Sequence, residues 1–202
     1  RNIFCHKLVR GSFLYMLAKG LNAAIPFLFL PILTHYLSPA DYGIISTFEI
    51  LLPIFIIFIG FNSQGLLTVK FFKLDQAELR VFFGNIFFIV LCGLIFLFGA
   101  LFFLKGLIAE RLHVPEPWVL AGIFAAASNF IFLLVLNLWQ IEERPLTYSI
   151  FLIVQSLLNI CLSIIFVVCL KWSWQGRILG ILTSFLISAG ISLVILSRRS
   201  YL

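Results

Sequence analysis

Six long blocks of apolar residues divide this chain, separated by short polar connections. The first runs from Gly11 to Thr34, broken only by Lys19, and the second from Gly43 to Val69, broken only by Glu49. Val81 to Leu104, Trp118 to Ile141 and Leu146 to Leu170 carry no charge, and the sixth block runs from Ile178 to Ser197. Each approaches or exceeds the roughly 20 apolar residues a helix needs to cross a bilayer. The pattern predicts membrane-spanning helices over residues 11–35, 39–68, 80–104, 117–141, 146–170 and 178–197. A membrane β-barrel would need short alternating segments, and none are present. The expected fold class is an all-α integral membrane protein whose six transmembrane helices form one bundle over residues 1–202.

Composition excludes the soluble alternative. Of 202 residues, 62% are hydrophobic and 11% charged, and the mean hydropathy is +1.15. A soluble chain this short has too much surface to leave without polar cover. No cleavable signal peptide is evident, because the run after Arg10 is too long for an h-region and no A-x-A site follows it. Cys92, Cys161 and Cys169 lie in apolar runs, and with Cys5 they fit neither a zinc site nor a C-x-x-C pair. They are expected as small buried apolar residues.

The charge distribution sets an orientation. Arg1, Lys7, Arg10, Lys70, Lys73, Arg80, Arg144, Arg198 and Arg199 fall on one side of the expected topology, nine in all. Lys105, Arg111, Lys171 and Arg177 make four on the other. The richer side is expected to be cytoplasmic, with both ends of this segment on it. This bias accounts for the net charge of +6 without a nucleic-acid partner. Trp118, Trp172 and Trp174 read as the outer aromatic belt, and Trp139 and Tyr148 as the inner one. The Lys105–Pro117 connection has room for a short interfacial helix. Lys70–Arg80 reads as a cytoplasmic extension of the second helix followed by a turn.

The turn between the first two blocks, Pro31 to Gly43, carries the most specific local chemistry. Ser38 is placed to cap the second helix, Pro39 occupies its first position, and Asp41 completes a capping box. Tyr36 and Tyr42 flank the turn. Read from residues alone, this is a tight hairpin between two membrane helices. The stretch Leu30, Pro31, Leu33, Thr34, Leu37, followed by Ser38, Pro39, Asp41, Tyr42 and Gly43, also resembles the N-terminal part of Wzx-type polysaccharide flippases. These are lipid-linked oligosaccharide translocases of the MOP superfamily. The resemblance implies a two-lobe transporter in the bacterial inner membrane, of which this chain is the N-terminal lobe. The start at Arg1 agrees with a fragment lacking the second bundle. The implied partners are lipid-linked oligosaccharide, membrane lipids, a coupling H+ or Na+ and other polysaccharide-assembly proteins, with no cofactor.

Polar groups inside the membrane are costly and mark candidate function. Ser12, Tyr15, Lys19, Asn22 and Pro26 share one face of the first helix. Lys19 either lines a water-filled cavity, attracting a phosphate, or snorkels to the interface; the shared face with Asn22 favours the cavity. Ser46, Glu49, Pro53, Gly60 and Gln64 form a second stripe. Glu49 pairs with a cation, takes up a proton, contacts sugar hydroxyls, or reaches water at the outer interface. Lys19 and Glu49 are expected at different depths, unpaired. Pro26, Pro31 and Pro53 interrupt two helices and favour bends. Asn129, Asn137 and Gln140 on the fourth helix, and Gln155, Asn159 and Ser163 on the fifth, either meet substrate or hydrogen-bond helices together. Gly180, Ser184 and Ser188 read as a small-residue packing seam.

Enzyme signatures are missing. His6, His35 and His113 are scattered, no H-E-x-x-H, P-loop or dinucleotide turn is present, and the sole acidic pair, Glu142–Glu143, is adjacent in a turn. The leading expectation is a non-enzymatic flippase without metal. A MATE-type antiporter using Glu49 as its coupling carboxylate is the nearest alternative, and a membrane glycosyltransferase or polymerase subunit is the alternative of another class.

Overall fold

The computed structural model describes the backbone of residues 2–112, 114–199 and 201, and the side chains of 11–104, 114–199 and 201. Arg1, Lys7, Arg10, Lys105 and Arg111 of the charge tally, with Cys5, His6 and His113, lie outside those described side chains. The chain folds as α1 (Asn2–Tyr36), α2 (Pro39–Gly60), α3 (Ser63–Lys70), α4 (Gln76–Leu112), α5 (Glu116–Ile141), α6 (Pro145–Ile164) and α7 (Ser173–Arg198). A π-helical turn, Ile165–Cys169, extends α6. No strand occurs among the described residues. Among the described residues, six segments are long and apolar enough to cross a membrane: Gly11–Tyr36, Pro39–Gly60, Gln76–Leu104, Glu116–Ile141, Pro145–Cys169 and Ser173–Arg198.

The hairpin forms as its residues dictate. The Ser38 Oγ accepts from the Asp41 N–H (3.2 Å), and the Asp41 carboxylate accepts from the Ser38 N–H (2.9 Å) and hydroxyl (2.8 Å). Both orphan donors at the start of α2 are thereby satisfied. Thr34 closes the preceding turn by donating to the Pro31 carbonyl at 2.9 Å.

Three helices differ from the expected spans. The second does not continue to residue 68: it ends at Gly60, Phe61 and Asn62 take left-handed backbone (φ 43° and 57°), and α3 starts at Ser63. Asparagine tolerates that region; a bulky aromatic adopts it only where surrounding contacts force it. Just before the break, Gly60 packs on the Phe130 ring, which lies where a β-carbon would stand. The third helix continues unbroken to Leu112, so residues 105–112 form no separate interfacial helix. Their Lys-Gly-Leu-Ile-Ala-Glu-Arg-Leu sequence is rich in strong helix formers. The sixth helix begins at Ser173 and not at 178, which moves Arg177 from the flank into the helix. The three prolines do not interrupt their helices: α1 runs through Pro26 and Pro31, and α2 through Pro53.

α5 is the centre of the bundle, packed against α2, α4, α6 and α7, while α1 lies at the edge on α6. Of the spans, that of α5 is 61% buried and that of α1 only 6%. Glycines permit the tightest approaches. A β-carbon at Gly93 would stand 2.8 Å from the Phe58 carbonyl oxygen, so α4 meets α2 backbone to backbone. The seam expected on the last helix is present: Ser184 and Ser188 are buried, and Gly180 lies against Ser163. Close small-residue contacts of this kind hold helices together where lipid removes the hydrophobic drive.

Side-chain pairs fix which ends lie together. Trp118 meets Trp174 (5.3 Å between rings), so α5 and α7 start at the same end as the Ser38 turn, where Trp174 packs on Leu37, Ile45 and Val167. At the opposite end Tyr15 meets Tyr148 edge to face (5.0 Å), and Phe83 stacks on Tyr201 (4.8 Å). The inner aromatic belt is corrected here. Trp139 and Tyr148 are buried inside the bundle, 4% and 5% exposed, because Phe151 and Tyr15 supply aromatic partners there. The cysteines invert in the other direction. Cys92, Cys161 and Cys169 are exposed on the apolar outer surface, as a helix exterior bathed in lipid allows.

Candidate functional site

Asn159 and Ser163 stand one turn apart on α6, and the Ser163 hydroxyl donates to the Asn159 carbonyl at 2.7 Å. That leaves the Ser163 oxygen and the Asn159 side-chain oxygen as acceptors on one face. Gly176 and Gly180 on α7 meet this face without side chains; a β-carbon at Gly176 would stand 2.9 Å from the Phe166 carbonyl carbon. Between the two glycines, Arg177 is pressed onto α6. Its Nη1 donates to Asn159 Oδ1 (2.6 Å) and Ser163 Oγ (2.8 Å), and its Nη2 to Glu49 Oε1 of α2 (3.0 Å). The Arg177 side chain is 13% exposed and that of Glu49 46%. A charge so deep in an apolar bundle is tolerable only when paired and hydrogen-bonded.

A guanidinium carries five N–H donors in a fixed fork. Nη1 spends both of its protons, and Nη2 one. The Nε–H and the second Nη2–H have no partner among the described residues. Arg177 lines a cleft of about 210 Å³ together with Pro26, Leu30, Leu33, Leu37, Tyr42, Ile45, Ser46 and Glu49. α1 forms one wall, α2 the other, and Arg177 the base. The Tyr42 hydroxyl is buried and has no partner among the described residues. The cleft therefore offers a cation and a carboxylate within apolar walls, with the Tyr42 hydroxyl closed off from solvent behind them.

The sequence-derived candidates distribute as follows. Glu49 and Asn159 join the Arg177 cluster, and Ser46, Tyr42 and Pro26 line the cleft. On α1, Lys19 and Ser12 are exposed, and Tyr15 and Asn22 are half-buried. Lys19 and Glu49 are not an ion pair; Glu49 pairs with Arg177. Gln64 lies beyond the Phe61–Asn62 break and so leaves the α2 stripe. It donates to the Phe130 carbonyl at 3.4 Å and accepts from Asn137 at 3.2 Å, bridging α3 to α5. Asn129 is half-buried, Gln140 exposed and Gln155 buried, with the Gln155 Nε2 unpartnered among the described residues. In the turn motif, Ser38, Pro39 and Gly43 are exposed, Asp41 half-buried and Pro31 exposed.

Arg177 is the residue that sequence reasoning missed. It was assigned to the flank by counting apolar residues, which starts the helix too late. The available signal was a pair of glycines bracketing a cation, facing a helix with Asn159 and Ser163 four apart.

A second charged knot lies at the other end. Glu142 pairs with Arg199 and with Arg144 Nε (3.1 Å). Tyr201 packs nearby, its hydroxyl held above the ordinary tyrosine range by burial first and by Glu142 second, against Arg199 and Arg144. No group of three or more metal-ligating side chains occurs among the described residues.

Comparison with known proteins places this architecture. A relative from Haemophilus influenzae, named as an uncharacterized membrane protein, is 26% identical over 196 residues. The match covers 95% of this chain and 45% of the relative, so the chain spans about half of that protein's length. No solved structure matches. The family model for polysaccharide biosynthesis proteins matches residues 8–201, nearly the whole chain. With its six helices of membrane-crossing length, the chain is a membrane protein that belongs to the polysaccharide biosynthesis protein family.

Proposed function

We propose that this protein moves a polyprenyl-diphosphate-linked oligosaccharide across the bacterial inner membrane for surface polysaccharide assembly. The observation that carries the reading is the cleft between α1 and α2, with a largely covered, hydrogen-bonded Arg177 on its lining. A diphosphate crossing a low-dielectric slab loses hydration, and a fixed cation offsets part of that loss because Coulomb attraction grows as the effective dielectric falls. The α1 stripe leads to the same place. Pro26 lines the cleft, and Asn22, Lys19 and Tyr15 follow it down the helix, with Lys19 about 10 Å away along the axis at 1.5 Å per residue. Glu49 and Asn159 join the proposed pathway through Arg177, whereas Gln64, Asn129, Asn137 and Gln155 are not on the lining of this cleft. The half-length match to the Haemophilus influenzae protein supports one lobe of a two-lobe transporter. Both ends of this segment are then cytoplasmic.

Lipid-linked glycans in cells lacking the protein test the proposal. Accumulation of the finished lipid-linked oligosaccharide on the cytoplasmic leaflet is expected. An unchanged pool with normal surface glycan would overturn it.

A further inference from the structure

We infer that Arg177 is a diphosphate-oxygen binding site and that Glu49 is its exchangeable internal counter-ion, released when an anionic ligand enters the cleft. The inference rests on the translocation reading for its ligand class, and on the geometry of this site for the rest.

The three partners of Arg177 are not equivalent. Asn159 and Ser163 come from α6, which is pressed onto α7 along Gly176 and Gly180 and cannot withdraw without opening that seam. They are neutral and hold the guanidinium in place. Glu49 comes from α2, across the cleft, and nearly half of its side chain is exposed. It is the one anionic partner and the one free to leave. Its single contact is Nη2 to Oε1 at 3.0 Å, monodentate where a planar fork offers two parallel bonds. The Nε–H and the remaining Nη2–H have no partner among the described residues, and Arg177 lines the cleft. Phosphate oxygens complement this set better than one carboxylate oxygen does, since they accept bidentate bonds from the guanidinium fork.

The exchange has a mechanical side. The Glu49–Arg177 pair ties α2 to α7 across the base of the cleft, so replacing Glu49 by a ligand releases α2 there. The π-helical turn Ile165–Cys169 lies beside the same contact, where Gly176 meets Phe166, and such turns recur at functional sites.

The test uses the full-length purified protein and two probes, inorganic pyrophosphate and geranyl diphosphate. Glu49→Gln removes the competing anion, so both probes should bind about tenfold more tightly, the scale of one close charge pair. Arg177→Gln should abolish binding of both. Tighter binding of geranyl diphosphate than of pyrophosphate identifies a lipid-borne diphosphate, and equal binding a free one. Unchanged or weaker binding by Glu49→Gln, at a melting temperature showing it folded, would overturn the inference, and this arm decides even if Arg177→Gln fails to fold. The two readings fail separately. If cells lacking the protein show a normal lipid-linked glycan pool while the Glu49→Gln effect holds, translocation falls and the anion site stands. If the pool accumulates and Glu49→Gln does not tighten binding, the exchange falls and translocation stands.

Discussion

Gly180 and Ser163 meet backbone to backbone: a β-carbon on Gly180 would stand 2.8 Å from the Ser163 α-carbon. The contact serves packing and site together, because Ser163 also holds Arg177. Gly180→Ala should push α6 and α7 apart and cost about 1–3 kcal/mol, the range for overpacking a close contact. Thermal unfolding in detergent measures this. A melting temperature equal to that of the parent protein would show that the seam yields without strain.

The break after α2 makes a backbone prediction. Asn62 sits at φ 57°, a region that costs a residue other than glycine, asparagine or aspartate about 1–2 kcal/mol. Asn62→Ala should therefore lower stability by about 1 kcal/mol, while Asn62→Gly should be tolerated. Paired denaturation curves decide it, and an alanine variant as stable as the glycine variant would argue against a left-handed residue here.

At the Ser38 turn, Ser38→Ala removes one acceptor and one donor of the capping box. A loss of about 1 kcal/mol is expected, seen as reduced folded yield with transport per molecule intact. Intact yield with abolished transport would mean the turn acts on substrate.

Lys19 separates a pathway role from snorkelling. As a pathway cation, Lys19→Ala should strongly impair glycan export at normal protein level, and Lys19→Arg should keep part of it. Complementation of surface glycan in a deletion strain is the assay. Full export by Lys19→Gln would remove Lys19 from the pathway, leaving Arg177 as the cation that matters.

Topology is open to direct labelling. A cysteine placed in the Lys70–Arg80 connection should resist an impermeant thiol reagent in intact spheroplasts and react after permeabilisation. Reaction in intact spheroplasts would reverse the orientation.

The sequence shows what is local and hides what is not. Six spans and the Ser38–Asp41 cap are readable because hydropathy and capping act over a few neighbouring residues. The Phe61–Asn62 break leaves only Asn62 as a local mark; the ring packed on Gly60 beside it belongs to Phe130, about seventy positions away. Arg177 became a largely covered ion-pair residue through Asn159, Ser163 and Glu49, none of them its neighbours in sequence. Trp139 and Tyr148 were misplaced for a related reason. In a bilayer both the interior and the exterior of a bundle are apolar, so composition does not separate an aromatic in the core from one in a lipid-facing belt.

The Trp118–Trp174 pair gives this protein an intrinsic optical reporter. Trp174 packs against the cluster of Leu37, Ile45 and Val167, and Leu37, in the turn after α1, and Ile45, on α2, line the cleft. Any ligand that wedges the two helices apart must shift them against the indole ring. Trp139, buried at the other end, and Trp172, half exposed and stacked on Phe166, emit as well, and replacing both by phenylalanine isolates the pair. Changes in indole emission therefore follow the spacing of α1 and α2, with no dye attached to a wall that faces lipid.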